Sequence, residues 1–285
     1  MKTIGFIDYY LDEWHANNYP AWIKKSQENK SGYKVAFAWG EKNSPNGISS
    51  ESWCKKNKVK LCASIDEVCE KSDALIILSP DNAEMHLKYA KKVLPYGKRT
   101  YIDKTFTPTL REAQEIFDLA KKCKTPLCSS SALRFASEIA ECNGKAKSIF
   151  TLGSGPSFDT YAVHQLEMIV KAMGTGAEKL MAIQKGLNIT LAIAYKDGRQ
   201  AVYNQPINSQ APFAVGIEKK GAKSVDYKPI ASNFFMNFID ALLIFFETGK
   251  VLADKKETLS IIALIEAGME GLKKPGQWIK VAAVL

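Results

Sequence analysis

Short apolar runs alternate with helical stretches through the first half of the chain. Short apolar runs of this kind are typical of strands that are buried on both faces of a parallel sheet. They lie at residues 4–7, 34–39, 74–78, 100–103 and 127–129. Because parallel neighbours need a crossover, the alternation predicts right-handed β-α-β units and a doubly wound α/β domain over residues 1–127.

The second half of the chain has a different pattern. Its β-like runs lie at residues 147–152, 179–185, 189–195, 200–204 and 213–218, with a last one at 278–284. Asp197-Gly198, between two of these runs, is a strong hairpin-turn sequence. Helical stretches lie at residues 162–173, 233–247 and 257–272. The pattern predicts a second domain, residues 128–285, of α+β class with an open, mainly antiparallel sheet.

The formal charge of +9 raises the question of nucleic-acid binding. The surplus is almost all lysine, spread over the predicted helix faces, and the chain has only four arginines, Arg99, Arg111, Arg134 and Arg199. Surfaces that recognise nucleic acids usually cluster their basic residues. The sequence therefore indicates a lysine-rich solvated surface and no nucleic-acid partner.

Neither a secretory signal nor a membrane span is expected. Met1-Lys2 leads directly into a run of strand length, and the longest strongly apolar run, residues 234–246, is shorter than the roughly 20 residues that cross a bilayer. The six cysteines form no C-x-x-C pair, which favours reduced thiols over a metal site. We expect a cytoplasmic protein without a membrane partner or a bound metal.

Lys104 is the strongest catalytic candidate. It directly follows the predicted strand at residues 100–103. In open α/β sheets, ligands bind beyond the carboxyl ends of the strands, where this side chain would meet them. A lysine buried at such a place changes its pKa readily. The alternative is a solvated lysine in an ordinary turn.

Several motifs, in order along the chain, resemble the glucose-fructose oxidoreductase and inositol dehydrogenase (Gfo/Idh/MocA) family. Residues 73–105 resemble the region that ends in Glu-Lys-Pro in that family, with Asp103, Lys104 and Thr105 at the three places. Leu133-Arg134-Phe135, a helical His164 before Met173-Gly174, and the segment NFIDALLIFFETGK at residues 237–250 are similar as well. Together these motifs cover most of the chain.

The resemblance implies a Rossmann domain, an open-sheet substrate domain and an oxidoreductase that uses NAD or NADP on a sugar, polyol or related hydroxyl compound. It implies that Lys104 stabilises negative charge on the substrate oxygen and that His164 takes the hydroxyl proton. The predicted cofactor contacts are Asp8, Tyr10, Glu41, Ser79, Asp103 and Lys104, and the predicted substrate contacts are His15, Arg134, Asp159, Thr160 and His164. The alternatives are a core histidine at position 164 and an ion-paired Arg134.

The first β-to-α turn departs from the family. The places of the glycines in G-x-G-x-x-G read Asp8, Tyr10 and Glu13, and carboxylates repel the pyrophosphate that bare N–H groups would bind. Glu41 could bind the ribose hydroxyls of NAD, whereas the adjacent Lys42 suits the phosphate of NADP. The departure leaves a second hypothesis, a relative that has lost the dinucleotide and binds a sugar-like ligand as a sensor or partner subunit.

An exposed face is predicted on the second sheet. The helices there can cover only one side, which leaves an apolar face for a second copy of the chain. We expect Leu191, Ile193, Phe213 and Val215 to line that face. The chain is then a homodimer or a homotetramer.

Overall fold

The structure is a computed structural model that describes residues 1–284. It has two compact units. The first comprises Met1–Thr107, Arg111–Ser130 and Met236–Asp254, and the second comprises Pro108–Leu110, Ser131–Phe235 and the chain from Lys255 onward. The sequence predicts that residues 128–285 form the second domain. In the structure, residues 236–254 belong to the first unit.

The first unit is built on a six-stranded parallel sheet. Its strands are β1 (Thr3–Tyr10), β2 (Lys34–Lys42), β3 (Lys60–Leu61), β4 (Ala74–Ile77), β5 (Thr100–Ile102) and β6 (Leu127–Cys128). The order is β3-β2-β1-β4-β5-β6, and every neighbouring pair is parallel. This is the doubly wound order, whose direction reverses between β1 and β4. The predicted fold class is confirmed for this part of the chain.

Five helices connect these strands. They are α1 (Trp14–Lys25), α2 (Ser50–Asn57), α3 (Ile65–Lys71), α4 (His86–Val93) and α5 (Leu110–Lys122). Ser64 caps the N-terminus of α3, since the Ser64 hydroxyl accepts from the Glu67 N–H at 3.1 Å. α1 begins directly after β1, so that its N-terminus lies at the carboxyl edge of the sheet.

The second unit is built on a seven-stranded mixed sheet. Its strands are β7 (Ala146–Leu152), β8 (Ala177–Lys185), β9 (Asn188–Tyr195), β10 (Gln200–Pro206), β11 (Ala214–Lys219), β12 (Asp226–Pro229) and β13 (Trp278–Lys280). The order is β12-β11-β7-β10-β9-β8-β13, and only β7 and β10 pair in parallel. Gly198 forms the predicted β9–β10 turn with a φ of 83°. The α+β class with a mainly antiparallel sheet is confirmed.

Helix α6 (Phe158–Met173) packs against this sheet, and α7 (Phe234–Thr248) and α8 (Lys255–Lys273) lie between β12 and β13 along the chain. Most of α7 belongs to the first unit, because its aromatic side chains pack there. The Phe238 ring lies 5.8 Å from Tyr19 and 5.3 Å from Tyr101 between centroids. Among residues 1–284, no helix has the length and apolar character to cross a bilayer.

The residues predicted to line the exposed face of the second sheet do not line it. Leu191, Ile193 and Val215 are buried, with at most 1% of their surface exposed. Leu191 faces α8, since a Cβ at Gly268 would lie 3.5 Å from it. Phe213 is half-buried and packs against His164. The side chains on the other face of the sheet, such as that of Phe150, point away from the helices.

Candidate functional site

Asp8 lies near the carboxyl end of β1, at the point where the strand order reverses. Its Oδ1 accepts from the Tyr9 N–H at 2.7 Å and from the Ser79 hydroxyl at 3.1 Å. Its Oδ2 is buried and has no hydrogen-bond partner in the part of the chain that is described. Burial raises the pKa of Asp8 well above its usual range, and the Asp103 carboxylate raises it further.

Lys104 lies just beyond the end of β5 and is only 6% exposed. Its Nζ donates to the Pro80 carbonyl oxygen at 3.2 Å and lies 4.0 Å from Asp81 Oδ1. The alternative of a solvated turn lysine therefore does not describe this side chain. Lys104 and Ser79, two of the predicted cofactor residues, follow neighbouring strands on the same sheet edge.

Asp103 and His15 form a buried pair on this edge. His15 Nδ1 is hydrogen-bonded to Asp103 Oδ2, while Asp103 Oδ1 accepts from the Lys104 N–H at 2.8 Å and the Tyr101 hydroxyl at 3.2 Å. The His15 ring stacks on Tyr19 at 5.2 Å. Burial alone would raise the pKa of Asp103, but His15 and Lys104 outweigh it, and the pKa lies below its ordinary value.

Glu13 caps the N-terminus of α1. Its carboxylate accepts from the His15 N–H at 2.6 Å and from the Ala16 N–H. Burial and the Asp8 carboxylate raise the pKa of Glu13 well above its usual range. A dinucleotide in the usual Rossmann position places its pyrophosphate at this helix end. Since two N–H groups of the first turn already hold a carboxylate, a pyrophosphate does not fit there in this conformation.

The remaining predicted cofactor residues make contacts of their own. The Glu41 carboxylate, at the end of β2, accepts from Lys88 Nζ at 2.6 and 2.7 Å and from the Tyr89 hydroxyl at 2.7 Å. Burial would raise the pKa of Glu41, but Lys88 and Tyr89 hold it below its ordinary value. The Tyr10 ring packs against Tyr9 at 4.5 Å.

The His86 side chain is hydrogen-bonded to both of the loops that carry Ser79 and Lys104. Its Nδ1 lies 2.9 Å from the Phe106 carbonyl oxygen, and its Nε2 lies 2.5 Å from that of Leu78. The side chain is fully buried, and burial lowers its pKa. His86 therefore acts on the site through the loops that it holds.

In the second unit, His164 lies half-buried on α6. Its Nδ1 is 2.6 Å from the Ser131 hydroxyl, and its ring meets Tyr161 and Phe213 at 5.0 and 5.9 Å between centroids. Ser131 also accepts from the Leu133 N–H at 3.3 Å. A serine and two aromatic rings thus fix the orientation of this imidazole.

Arg134 forms buried ion pairs in the second unit. Its NH1 lies 3.3 Å from Glu167 Oε2, and its NH2 pairs with Glu257. Burial raises the pKa of Glu167, and Arg134 offsets only part of that rise. These contacts match the alternative of an ion-paired Arg134. The sequence offered no signal for Glu167 beyond a charged residue in an apolar helix.

Asp159 and Thr160 lie in the first turn of α6 and bond locally. Asp159 Oδ1 accepts from the Thr160 N–H at 2.9 Å and from the Ser157 hydroxyl, and Thr160 Oγ1 lies 2.7 Å from Ser157 Oγ. Neither is buried. Within residues 1–284, no group of three or more His, Cys, Asp or Glu side chains is arranged to hold a metal ion.

Part of the chain matches a known protein family. Residues 21–129 match the Gfo/Idh/MocA family model, described as an oxidoreductase family with an NAD-binding Rossmann fold. An uncharacterized oxidoreductase of Escherichia coli, YhhX, is 38% identical over 63 residues, and one of Schizosaccharomyces pombe, C26H5.09c, is 29% identical over 107 residues. The matches cover 22% and 38% of this chain but only 18% and 24% of those two proteins.

Solved structures match nearly the whole chain at low identity. A probable dehydrogenase from Thermotoga maritima has a TM-score of 0.81 at 13% identity, covering 98% of both chains. GenD2 from gentamicin A biosynthesis, in complex with NAD, has a TM-score of 0.79 at 10% identity, covering 99% of this chain and 97% of that one. These likenesses confirm the fold, and the family match confirms the predicted resemblance. The match begins at residue 21, after the turn that contains Asp8 and Glu13.

Proposed function

We propose that this oxidoreductase-family chain with a Rossmann fold transfers hydride between NAD or NADP and the hydroxyl-bearing carbon of a sugar or polyol. The observation that supports it best is the buried Lys104 at the carboxyl edge of the sheet, beside the Asp103–His15 pair. All six cysteines are free. We also propose a cytoplasmic location, with which reduced thiols agree.

Lys104 would stabilise the negative charge that develops on the substrate oxygen. An ammonium has three N–H donors, and Lys104 uses one on the Pro80 carbonyl oxygen. A second N–H can therefore point at a ligand oxygen. Because the side chain is only 6% exposed, water screens its charge poorly, which increases its effect on an oxyanion.

His164 would take the proton of the substrate hydroxyl. An imidazole titrates near pH 6.5 when unperturbed, so it can accept a proton near neutrality. When Nδ1–H donates to the Ser131 hydroxyl, the lone pair lies on Nε2, which is the form that a base requires. In that tautomer the Ser131 hydroxyl would accept from Nδ1–H and hold the ring in place.

A titration with NADH and with NADPH tests the cofactor assignment. We expect at least one of them to bind saturably, with a change in nicotinamide fluorescence and quenching of the tryptophans. A panel of sugars and polyols then identifies the substrate by reduction of the oxidised cofactor. Absence of binding by both dinucleotides at millimolar concentration would contradict the proposal.

The Glu13 cap favours a second candidate function. A protein whose α1 N-terminus is closed by its own carboxylate could bind a sugar-like ligand without a dinucleotide, as a sensor or partner subunit. In that case sugars or polyols would raise the melting temperature while neither dinucleotide bound. The titration above therefore separates the two candidates.

We also propose that the outer face of the second sheet pairs with a second copy of the chain. One row of side chains crosses all seven strands in register, and three of its aromatic members are 38 to 57% exposed. The row is Tyr227, Gly216, Phe150, Val202, Ala192, Met181 and Trp278. Its Phe150 and Tyr227 rings stack at 6.1 Å.

Light scattering tests this assembly. We expect the mass of a dimer or tetramer for the unchanged chain and a smaller mass for Phe150→Lys, which puts a charge in the centre of the row. Ile48→Lys, on the first unit and also exposed, serves as the matched control and should keep the mass. A monomeric unchanged chain would exclude the proposed assembly.

A further inference from the structure

The N-terminus of α1 has the features of an anion site. The helix is 12 residues long and begins at the carboxyl edge of the parallel sheet, directly after β1. The first N–H groups of a helix have no partner within it, and the helix dipole adds positive potential. In doubly wound folds this position receives the cofactor pyrophosphate.

In this chain a side chain fills that site. The two Glu13 carboxylate oxygens accept from successive first-turn N–H groups, one oxygen on His15 and the other on Ala16. A phosphate at a helix N-terminus uses the same donors. Because both Glu13 oxygens already accept from these N–H groups, the carboxyl group competes with a phosphate for them.

The surroundings add a second obstacle to a phosphate. Asp8 Oδ2 is buried without a hydrogen-bond partner, and the Asp8 carboxylate is close enough to repel that of Glu13. Asp103 acts on Glu13 in the same direction. A phosphate that entered beside Glu13 would therefore meet several carboxyl groups in a place with little water to screen them.

We infer that Glu13 is an intramolecular competitor for phosphate, and that a dinucleotide binds at α1 only when the Glu13 carboxylate leaves the His15 and Ala16 N–H groups. Glu13 thus sets the affinity for the cofactor and favours its exchange over tight retention. For the dinucleotide this inference rests on the proposed function, whereas for phosphate itself it does not.

Two substitutions at one position separate charge from helix capping. Serine is a good N-cap without a charge, so Glu13→Ser keeps the helix start and frees the site from a carboxylate. Aspartate is an equally good N-cap and keeps a carboxyl group, so Glu13→Asp keeps the competitor. Glu51→Ser, in the exposed first turn of α2, is the control for loss of one surface charge.

The probes are inorganic pyrophosphate and NADH, titrated into the full-length chain by calorimetry, with circular dichroism to check the fold. Glu13→Ser should bind pyrophosphate and NADH roughly tenfold more tightly than the unchanged chain, because the carboxyl group that occupies the His15 and Ala16 N–H groups is removed. Glu13→Asp and Glu51→Ser should show no such gain.

The two probes distinguish the inference from the proposed function. Equal pyrophosphate affinity in the unchanged chain and Glu13→Ser would overturn the inference. If Glu13→Ser binds pyrophosphate more tightly than the unchanged chain does, and neither protein binds NADH, Glu13 is a competitor for phosphate. The proposed function then loses its dinucleotide. Tight NADH binding that is the same in both proteins would support the function and overturn the competitor.

Discussion

Replacing Lys104 with methionine should lower the turnover number by about 100- to 1000-fold, the usual effect of removing one donor to a developing oxyanion. Methionine is unbranched and of similar length, so it fills the same buried space without the charge. The hydrogen bond to the carbonyl oxygen of the buried Pro80 is lost as well, and this loss affects stability before it affects the reaction. The main effect on turnover is therefore the loss of transition-state stabilisation.

The measurement is the turnover number with the best substrate from the sugar and polyol panel, together with the dissociation constant for NADH. We expect the latter to change little, because Lys104 is assigned to the substrate oxygen. Lys92→Met, on the exposed face of α4, is the control for loss of one lysine. Turnover within about twofold of the unchanged enzyme would remove Lys104 from the reaction, since a lost oxyanion donor costs far more.

The parallel sheet could be predicted from sequence because its strands are buried on both faces. Residues 74–78 and 100–103 stand out as short, mainly apolar runs, and the observed β4 and β5 differ from them by a single residue at the end. β3 was missed because it has only two residues, both exposed. The attachment of α7 to the first unit was also missed, since an apolar helix pattern does not tell which sheet it covers.

The sequence pattern led to the wrong set of alternating residues for the exposed face of the second sheet. A strand pattern with period two shows which residues share a face, but not which face the helices cover. In β9 the larger Leu191 and Ile193 pack beneath the helices, and the smaller Ala192 and Ala194 face outward. The bulkier set marks the covered side here because helix-facing positions gain more from burying large side chains.

The candidate site was only partly visible in the sequence. The position of Lys104 followed from the strand before it, and the carboxylates of Asp8 and Glu13 could be seen to conflict with a pyrophosphate. The partner of His15 could not be seen, because Asp103 lies 88 residues away. Nor could the sequence show that Glu13 turns back onto the N–H groups of its own helix, which depends on the path of the chain after β1.

The second large effect is expected on stability, at Arg134. Arg134→Met should lower the free energy of unfolding of the second unit by about 3–5 kcal/mol, the range for breaking a buried ion pair by removing one partner. Glu167 is 2% exposed and would keep a carboxylate without its cation. Its N–H bond from Ser131, at 2.9 Å, compensates only part of that cost.

Urea unfolding followed by circular dichroism measures the change. Arg111→Met, at an exposed position of α5, is the control and should stay within about 0.5 kcal/mol of the unchanged chain. Adding Glu167→Gln to Arg134→Met should restore part of the loss, because a neutral amide costs less to bury than an unpaired carboxylate. A loss below about 1 kcal/mol for Arg134→Met, the level of an exposed pair, would instead mean that water reaches Glu167 and would leave Arg134 available to bind a substrate.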